Sequence, residues 1–277
     1  MLGIVASLTY AQRRELLETT KRLLEAIIEA SRYDPYLERL GAENPSHCDG
    51  VGYTLLLLEE GERKQLHYFR ADRIDCKENL QEAEKNAKRV VRIIEDSKWT
   101  SFILLFHTRK ASRKEPRGEK HAHPYYASIS ARHGARQYFF AHNGSIHKDS
   151  LARIIGVNPA SYTDSEIAFY WLIRRLGYGE KIKDAYSRLK SQVRTALNTL
   201  LLDLNEETLI ATAYSSPKLD AARLDYYRVY LLEEPGIKAY MSSTIRDIIG
   251  RRAKTKTIEN TILALSPNSR TIIEEGI

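Results

Sequence analysis

A buried strand that runs into a polar loop is predicted by the segment WTSFILLFHTRKAS, residues 99–112. Its first eight residues form a strongly apolar run that is short enough for a strand. The chain turns polar at His107, and polar loops at strand ends are a usual place for a functional site. Residues 136–146 repeat this arrangement, because a predicted strand continues there into Asn143-Gly144. Both segments predict that the functional site lies where strands end.

Outside these two segments, the predicted elements follow the order strands, a helical block, and strands again. Apolar residues at helical spacing predict helices over residues 11–31, 79–97, 148–155, 165–176 and 182–201. Further strands are predicted over residues 52–58, 65–70, 208–214, 226–232, 237–242 and 270–273. Since this order lacks strict strand–helix alternation, it predicts an α+β fold with sheets packed together and helices outside.

The composition is that of a globular protein. The 277 residues are 43% hydrophobic and 29% charged, which is enough apolar material for a core, and we expect one domain over residues 1–277. No apolar run approaches the roughly 18 residues that a membrane helix needs. The apolar start lacks a basic region and a cleavage site, so we expect a first strand rather than a secretion signal.

Two cysteines, Cys48 and Cys76, suit a reducing compartment better than a disulfide scaffold, and they are too few for a structural zinc site. We therefore predict a cytoplasmic protein without a membrane segment.

The net charge of +7 and the pI of about 9.2 permit contact with RNA or another acidic partner. Basic residues concentrate in residues 109–120 and 246–256. A solvated surface is the alternative interpretation of these segments. Many Lys, Arg and Glu residues with few Gln also suit the ion-pair-rich surface of a thermophile.

The polar loops carry groups that could hold an amino acid. Arg109 offers a planar fork of donors that matches a carboxylate, and Ser112 can add a hydroxyl donor. Asn143 offers an amide donor, and Gly144 lets its backbone N–H approach closely, so the pair could hold an oxyanion. Asp164 could bind an ammonium group. Together these residues predict a pocket for an α-amino acid with a carbonyl in its side chain.

Each of these residues also has a purely structural interpretation. Asp164 could be the N-cap of the helix that follows, with Glu166 in the first turn. Asn143-Gly144 could be a tight turn. His107 and His142 are expected to be packed or hydrogen-bonded scaffold residues and not metal ligands. His47, His121 and His123 are not expected to bind a metal either, because no metal-ligand spacing accompanies them.

Six short motifs, in order, resemble the class II glutamine amidotransferase domain, an N-terminal-nucleophile (Ntn) hydrolase. The segments are MLGIV (1–5), DGVG (49–52), HTRKAS (107–112), AHP (122–124), HNGSI (142–146) and TDSE (163–166). The later segments 215–217 and 242–243 also resemble the family, so the resemblance spans most of the chain. It implies a four-layer α-β-β-α sandwich of Ntn-hydrolase type.

The resemblance also implies roles for the polar residues. Arg109 and Ser112 would hold the α-carboxylate of glutamine, and Asp164 would hold its α-amino group. Asn143 and the Gly144 N–H would form the oxyanion hole. No cofactor and no metal are expected.

Leu2 stands where the family has its catalytic cysteine, and its side chain has no lone pair to attack a carbonyl. We expect Met1 to be retained, because the usual aminopeptidase prefers a small second residue. Val51 and Lys110 stand where the family has tryptophan. Since loss of a nucleophile commonly lowers the rate by many powers of ten, glutaminase activity is not expected.

The favoured hypothesis is a catalytically silent domain, a pseudoenzyme that binds glutamine or a related amino acid. It would act as a sensor or as a subunit beside a synthetase or other protein partner. One alternative is an active amidohydrolase or amidotransferase with a different nucleophile. Another is a basic RNA- or ribosome-associated binding protein on the same scaffold.

Overall fold

Two antiparallel sheets form the centre of this computed structural model, which describes residues 1–112, 115–131, 134–250, 253–267 and 272–275. The strands are β1 (Leu2–Ser7), β2 (Val51–Leu58), β3 (Lys64–Ala71), β4 (Ser101–Thr108), β5 (Tyr125–Ala131), β6 (Gly134–Ile146), β7 (Val193–Asp203), β8 (Thr208–Ala213), β9 (Val229–Glu234), β10 (Ile237–Ser242), β11 (Thr255–Ile258), β12 (Thr261–Leu265) and β13 (Ile272–Glu275). The helices are α1 (Arg13–Arg32), α2 (Pro35–Arg39), α3 (Cys76–Asp96), α4 (Lys148–Ile155), α5 (Asp164–Gly177), α6 (Ile182–Lys190), α7 (Ala221–Tyr227) and α8 (Ser243–Ile249).

Three apolar layers show that the sheets stack face to face between helices. The first sheet has the order β11-β9-β10-β1-β4-β2-β3, and the second has the order β13-β12-β8-β7-β6-β5. Leu104 of β4 packs with α1 and α3, whereas its neighbour Ile103 packs between the sheets with Leu200 of β7. Leu201 of β7 turns to the opposite face and packs with α5. This alternation of faces gives an α-β-β-α sandwich and confirms the predicted fold.

The predicted helix 182–201 is wrong in its second half. Helix α6 ends at Lys190, and the central strand β7 begins at Val193 and pairs with both β6 and β8. A strand between two neighbours, covered on both faces, needs a nearly continuous buried run, and residues 196–203 are all buried. Such a run matches helical spacing as well as strand spacing, so periodicity alone misassigned it.

Smaller differences concern element boundaries near the end of the chain. The strand predicted over residues 226–232 begins only at Val229, because α7 continues to Tyr227. The strand predicted over 270–273 lies partly outside the described residues, which include β13 from Ile272. Strand β5 and helix α8 were not predicted.

Cys48 and Cys76 form a disulfide, so the expectation that they would not serve as a disulfide scaffold is wrong for this structure. Cys48 is buried in the loop before β2, and Cys76 is the first residue of α3. The packing of α3 against β2 brings these segments together across 28 residues of sequence, and no local pattern indicates it.

Helices α1 and α3 cover the outer face of the first sheet with their apolar sides. None of the helices within the described ranges combines the length and the apolar character that crossing a membrane requires.

Candidate functional site

The candidate site lies where β1, β4 and β6 meet at one side of the sandwich. In the first sheet Leu2 of β1 pairs with Phe106 of β4, so the chain start lies beside the loop 107–112. Strand β6 of the second sheet brings residues 143–146 to the same place. These segments line one cavity of about 70 Å³. The predicted binding and oxyanion residues all line it: Arg109, Ser112, Asn143, Gly144 and Asp164.

Arg109 presents a buried positive charge to this cavity. The residue is 5% exposed, and its Nη1 has no hydrogen-bond partner among the described residues. Its Nη2 donates only a long hydrogen bond of 3.3 Å to the carbonyl of Pro116. Because buried charges are normally paired, the free donors of Arg109 suit an anionic group that enters the cavity.

Ser112 and Lys110 flank Arg109 in the same loop. Ser112 is exposed and lines the cavity, so its hydroxyl is placed to reach a group held by Arg109. The Nζ of Lys110 donates to the carbonyl of Asn44 at 2.8 Å. The charge that replaces the family's aromatic ring is thus held by a neighbouring loop.

Asn143 and Gly144 lie inside strand β6, so the alternative interpretation as a tight turn is wrong. Gly144 has a φ of +149°, and a Cβ there would lie 2.0 Å from the carbonyl oxygen of Ala196. The pairing of β6 with β7 shifts register between Gly144 and Ile146, which marks a β-bulge. Only glycine fits this bulge, and both Asn143 and Gly144 line the cavity.

Asp164 is the first residue of α5, and the N-cap is Thr163. Thr163 and Glu166 form a capping box, so the helix start is satisfied without Asp164. The buried carboxylate of Asp164 instead accepts from the N–H of Ile146 at 2.9 Å and from the N–H of Ser165 at 2.7 Å. It therefore ties α5 to the end of β6 while it lines the cavity, and the alternative that Asp164 is only a cap is wrong.

Three buried histidines surround these groups. His142 matches the predicted scaffold role, since its Nε2 donates to the carbonyl of Ala196 at 3.0 Å and its Nδ1 accepts from the hydroxyl of Ser165 at 2.9 Å. The rings of His107 and His123 lie 4.3 Å apart, and Nδ1 of His107 and both nitrogens of His123 have no partner among the described residues. Burial lowers the pKa of both rings well below its usual value, so both are neutral at pH 7.

Of the five histidines considered in the sequence, the remaining two each bond to a carboxylate. His47 bonds Asp34 at 2.8 Å and His121 bonds Glu166 at 2.6 Å. Across the described part of the chain, no group of three or more His, Cys, Asp and Glu side chains is placed to hold a metal ion.

Met1 precedes β1, and Leu2 is the first residue of that strand. Leu2 is fully buried and packs in the core between the first sheet and the helices α1 and α3. Met1 lines the cavity, and burial lowers the pKa of its α-amine to about 5, an effect that the carboxylate of Asp34 partly offsets. Residue 2, the predicted nucleophile position, is thus an aliphatic side chain that is part of the core.

The sequence did not single out the half of the cavity that lies behind Met1. There Asp34 accepts from the hydroxyl of Thr244 and from the N–H of Tyr36, in addition to its bond with His47. Thr244 is 210 residues from Asp34. Only the tertiary fold brings them together, so no sequence pattern could have indicated this group.

In the basic segment 109–120, Arg109 is buried, whereas Arg117 and Lys120 are exposed. Besides Arg109 and Lys110, Arg117 bonds Asp49 at 3.2 Å and Asp72 at 3.1 Å. In the second basic segment, Arg246 bonds the hydroxyl of Tyr230 and Lys256 bonds Glu233, while residues 251–252 lie outside the described residues. RNA binding through these segments stays a prediction.

Comparisons with known proteins agree with this geometry. A family model described as class-II glutamine amidotransferases matches residues 66–223, which is more than half of the chain. A search of curated proteins finds no match.

Two solved structures share the fold. One is described as the allosteric regulatory enzyme of purine biosynthesis, with a TM-score of 0.58 and 14% identity. The other is the glutamine phosphoribosylpyrophosphate amidotransferase of B. subtilis, in complex with ADP and GMP, with a TM-score of 0.57 and 15% identity. In each case 99% of this chain aligns with 48% of the solved chain, so it spans about half the length of these proteins. At such identities the structures show the fold, and the family model shows that the chain belongs to the class II glutamine amidotransferase family.

Proposed function

We propose that this chain binds glutamine or a closely related amino acid without hydrolysing it, as a sensor or as a subunit. The observation that carries the proposal is the buried guanidinium of Arg109, which belongs to the cavity lining and whose Nη1 has no hydrogen-bond partner among the described residues. An empty site leaves this charge uncompensated, whereas an α-carboxylate would pair with it.

The rest of the cavity supports an amino acid with a side-chain amide. Asp164 accepts from two backbone N–H groups and lies 3.2 Å from the hydroxyl of Ser165, which still leaves lone pairs for an α-ammonium group. Neutral His107 and His123 each offer one donor and one acceptor, and a carboxamide offers the same pair. Glutamine therefore complements the cavity better than glutamate, whose side chain offers acceptors alone.

The identity of residue 2 supports the absence of hydrolysis. Leu2 has no group that can attack a carbonyl, and removing a nucleophile commonly lowers the rate by many powers of ten. Cys48 is bonded to Cys76 and cannot replace the missing thiol.

A second candidate function, hydrolysis through another nucleophile, is favoured by one contact. Ser165 lines the cavity and donates to Nδ1 of His142, whose Nε2 is oriented by the carbonyl of Ala196. A hydroxyl on an oriented imidazole is the arrangement of a serine nucleophile and its base. We rank it second because the same hydroxyl also lies 3.2 Å from Asp164 at the start of a buried helix turn.

Isothermal titration and an ammonia assay test both candidates. We expect L-glutamine to bind wild-type protein, D-glutamine to bind much more weakly, and Arg109→Met to abolish binding, with no ammonia released. The absence of heat at millimolar L-glutamine would refute binding. Ammonia release by the wild type that Ser165→Ala abolishes would instead establish the second candidate.

The role as a sensor or subunit implies a protein partner, such as a synthetase that uses the domain's response to glutamine. Affinity purification of the tagged protein with and without glutamine tests this part. A partner retained in only one of the two conditions would support it, and identical material in both would contradict it.

A further inference from the structure

The Cys48–Cys76 disulfide joins two segments that hold the opposite ends of the Arg109 loop, residues 109–118. Cys48 is 2% exposed, whereas Cys76 is half-buried at the start of α3. A dithiol in solution can therefore reach the bond from the side of Cys76.

The segment around Cys48 holds the start of the loop. The N–H of Arg109 donates to the carbonyl of Gly50 at 2.8 Å, and the N–H of Asp49 donates to the carbonyl of Arg109 at 2.8 Å. The carboxylate of Asp49 accepts from the N–H of Ala111 at 2.9 Å. The two residues after Cys48 therefore fix the backbone on both sides of the Arg109 side chain.

The segment before Cys76 holds the end of the same loop. The carboxylate of Asp72 accepts from the N–H of Gly118 at 2.7 Å and from Arg117 at 3.1 Å. Arg117 also reaches Asp49 at 3.2 Å, so it bridges the two anchoring segments. The described parts of the loop, residues 109–112 and 115–118, are thus held by Asp49 and Asp72, and the disulfide adds a covalent link between the segments that carry these two residues.

Besides the disulfide, the pairing of Val51 in β2 with Ala71 in β3 and the hydrogen bonds of Asn79 also join the two segments. Asn79 of α3 donates to the carbonyl of Cys48 at 2.9 Å and accepts from the N–H of Arg73 at 2.7 Å. After reduction these bonds still favour the closed arrangement, but the segments can separate locally. The effect expected on the loop is a loosening and not an unfolding.

We propose that the Cys48–Cys76 disulfide is a redox clasp for the ligand site, opened by a dithiol, and that opening it weakens amino-acid binding at Arg109. The step is thiol–disulfide exchange: the dithiol gives two electrons and two protons, Cys48 and Cys76 become thiols, and the dithiol becomes a cyclic disulfide. The part concerning ligand affinity rests on the proposed glutamine binding. The part concerning the loop does not.

Hydrogen exchange at the amides of Asp49, Arg109, Ala111 and Gly118 tests the clasp without any ligand. We expect exchange to rise about tenfold or more when dithiothreitol reduces the wild type. The variant Cys48→Ala/Cys76→Ala should show the faster exchange with or without the dithiol. Unchanged exchange on reduction, or two free thiols that stay unbonded after mild oxidation, would overturn the clasp.

Titration with glutamine on the same samples tests the coupling. We expect about five- to tenfold weaker binding for the reduced protein and for the double-alanine variant. Leu189→Ala is the matched control, because it opens a void under α6 in the opposite helical layer and lowers stability without contact to the loop. Faster hydrogen exchange with unchanged glutamine affinity would refute the coupling between the disulfide and the ligand site. If glutamine binds in neither redox state, the proposed function is refuted, and the hydrogen-exchange result still decides whether the disulfide holds the loop.

Discussion

Substitution of Arg109 by methionine is expected to stabilise the empty protein and to abolish its response to glutamine. Methionine keeps an unbranched apolar stem and removes the guanidinium with its charge. The backbone bonds of Arg109 to Gly50 and Asp49 do not depend on the side chain, so the loop should keep its shape.

The magnitude follows from the contacts of the guanidinium. Its Nη1 is buried without a partner, and leaving such a donor unsatisfied costs about 1–3 kcal/mol. The substitution also loses the 3.3 Å bond to Pro116, which contributes about 1 kcal/mol or less. The net gain in the free energy of unfolding is about 1–2 kcal/mol, and the corresponding rise in Tm is about 2–6 °C.

Glutamine should reverse this order. A ligand present at about 100 times its Kd stabilises the wild type by about 2.7 kcal/mol, more than Arg109→Met gains. In calorimetric melting, Arg109→Met should therefore have the higher Tm without glutamine, and the wild type should have the higher Tm with glutamine. Arg136→Met is the control, because Arg136 pairs with the buried carboxylate of Asp203, so its loss should lower Tm in both conditions.

Two results would refute the reasoning. If Arg109→Met melts at or below the wild-type temperature without ligand, the charge of Arg109 is compensated in the folded protein. If glutamine raises the Tm of Arg109→Met as much as that of the wild type, the ligand does not use Arg109.

Gly144→Ala should lower the free energy of unfolding, measured in urea, by about 3 kcal/mol or more, because the new Cβ would lie 2.0 Å from the carbonyl oxygen of Ala196. Gly156 is also left-handed but has open space around it, so Gly156→Ala should lower the same free energy by only about 1 kcal/mol. Equal losses would contradict the argument from the bulge. Stability should fall as the pH drops below 6.5, by up to about 1.4 kcal/mol per pH unit for each buried histidine. The rings are His107, His123 and His142, and burial lowers the pKa of each. In this pH range the unfolded chain therefore takes up protons at these rings and the folded chain does not. A urea midpoint that stays constant from pH 7 to 5 would contradict this prediction. A chain prepared to begin with cysteine in place of Leu2 should release ammonia from glutamine, and binding without ammonia would show that more than the nucleophile is missing.

The motifs predicted which residues lie together around the cavity, because these residues follow the strands that carry them. Residues 99–106 and 136–142 were recognisable as strands from their apolar content, and the polar residues after them lie at one side of the sandwich. A strand end fixes the position of the next few residues, so a local pattern contained this information. The roles of Arg109, Asn143 and Asp164 toward a ligand stay predictions.

Contacts between distant segments could not be predicted in this way. Asp34 and Thr244, or Cys48 and Cys76, meet only because helices pack on the first sheet. The strand β7 was mistaken for a helix for a related reason. The apolar residues of β7 pack into two different layers, one on each face of the sheet. Both faces must be apolar because β7 lies at the centre of the sheet, between β6 and β8.

In the proposed non-hydrolysing domain, binding and hydrolysis would depend on different contacts, so one could be lost without the other. Leu2 belongs to the core beneath α1, where a leucine buries more apolar surface than a cysteine, a difference of about 1–2 kcal/mol. The cavity groups are held by other means: Arg109 by the Asp49-Gly50 backbone, Gly144 by the bulge against β7, and Asp164 by Ile146. None of these contacts involves the side chain of Leu2. A substitution at residue 2 therefore removes the reacting atom and leaves the binding groups in place.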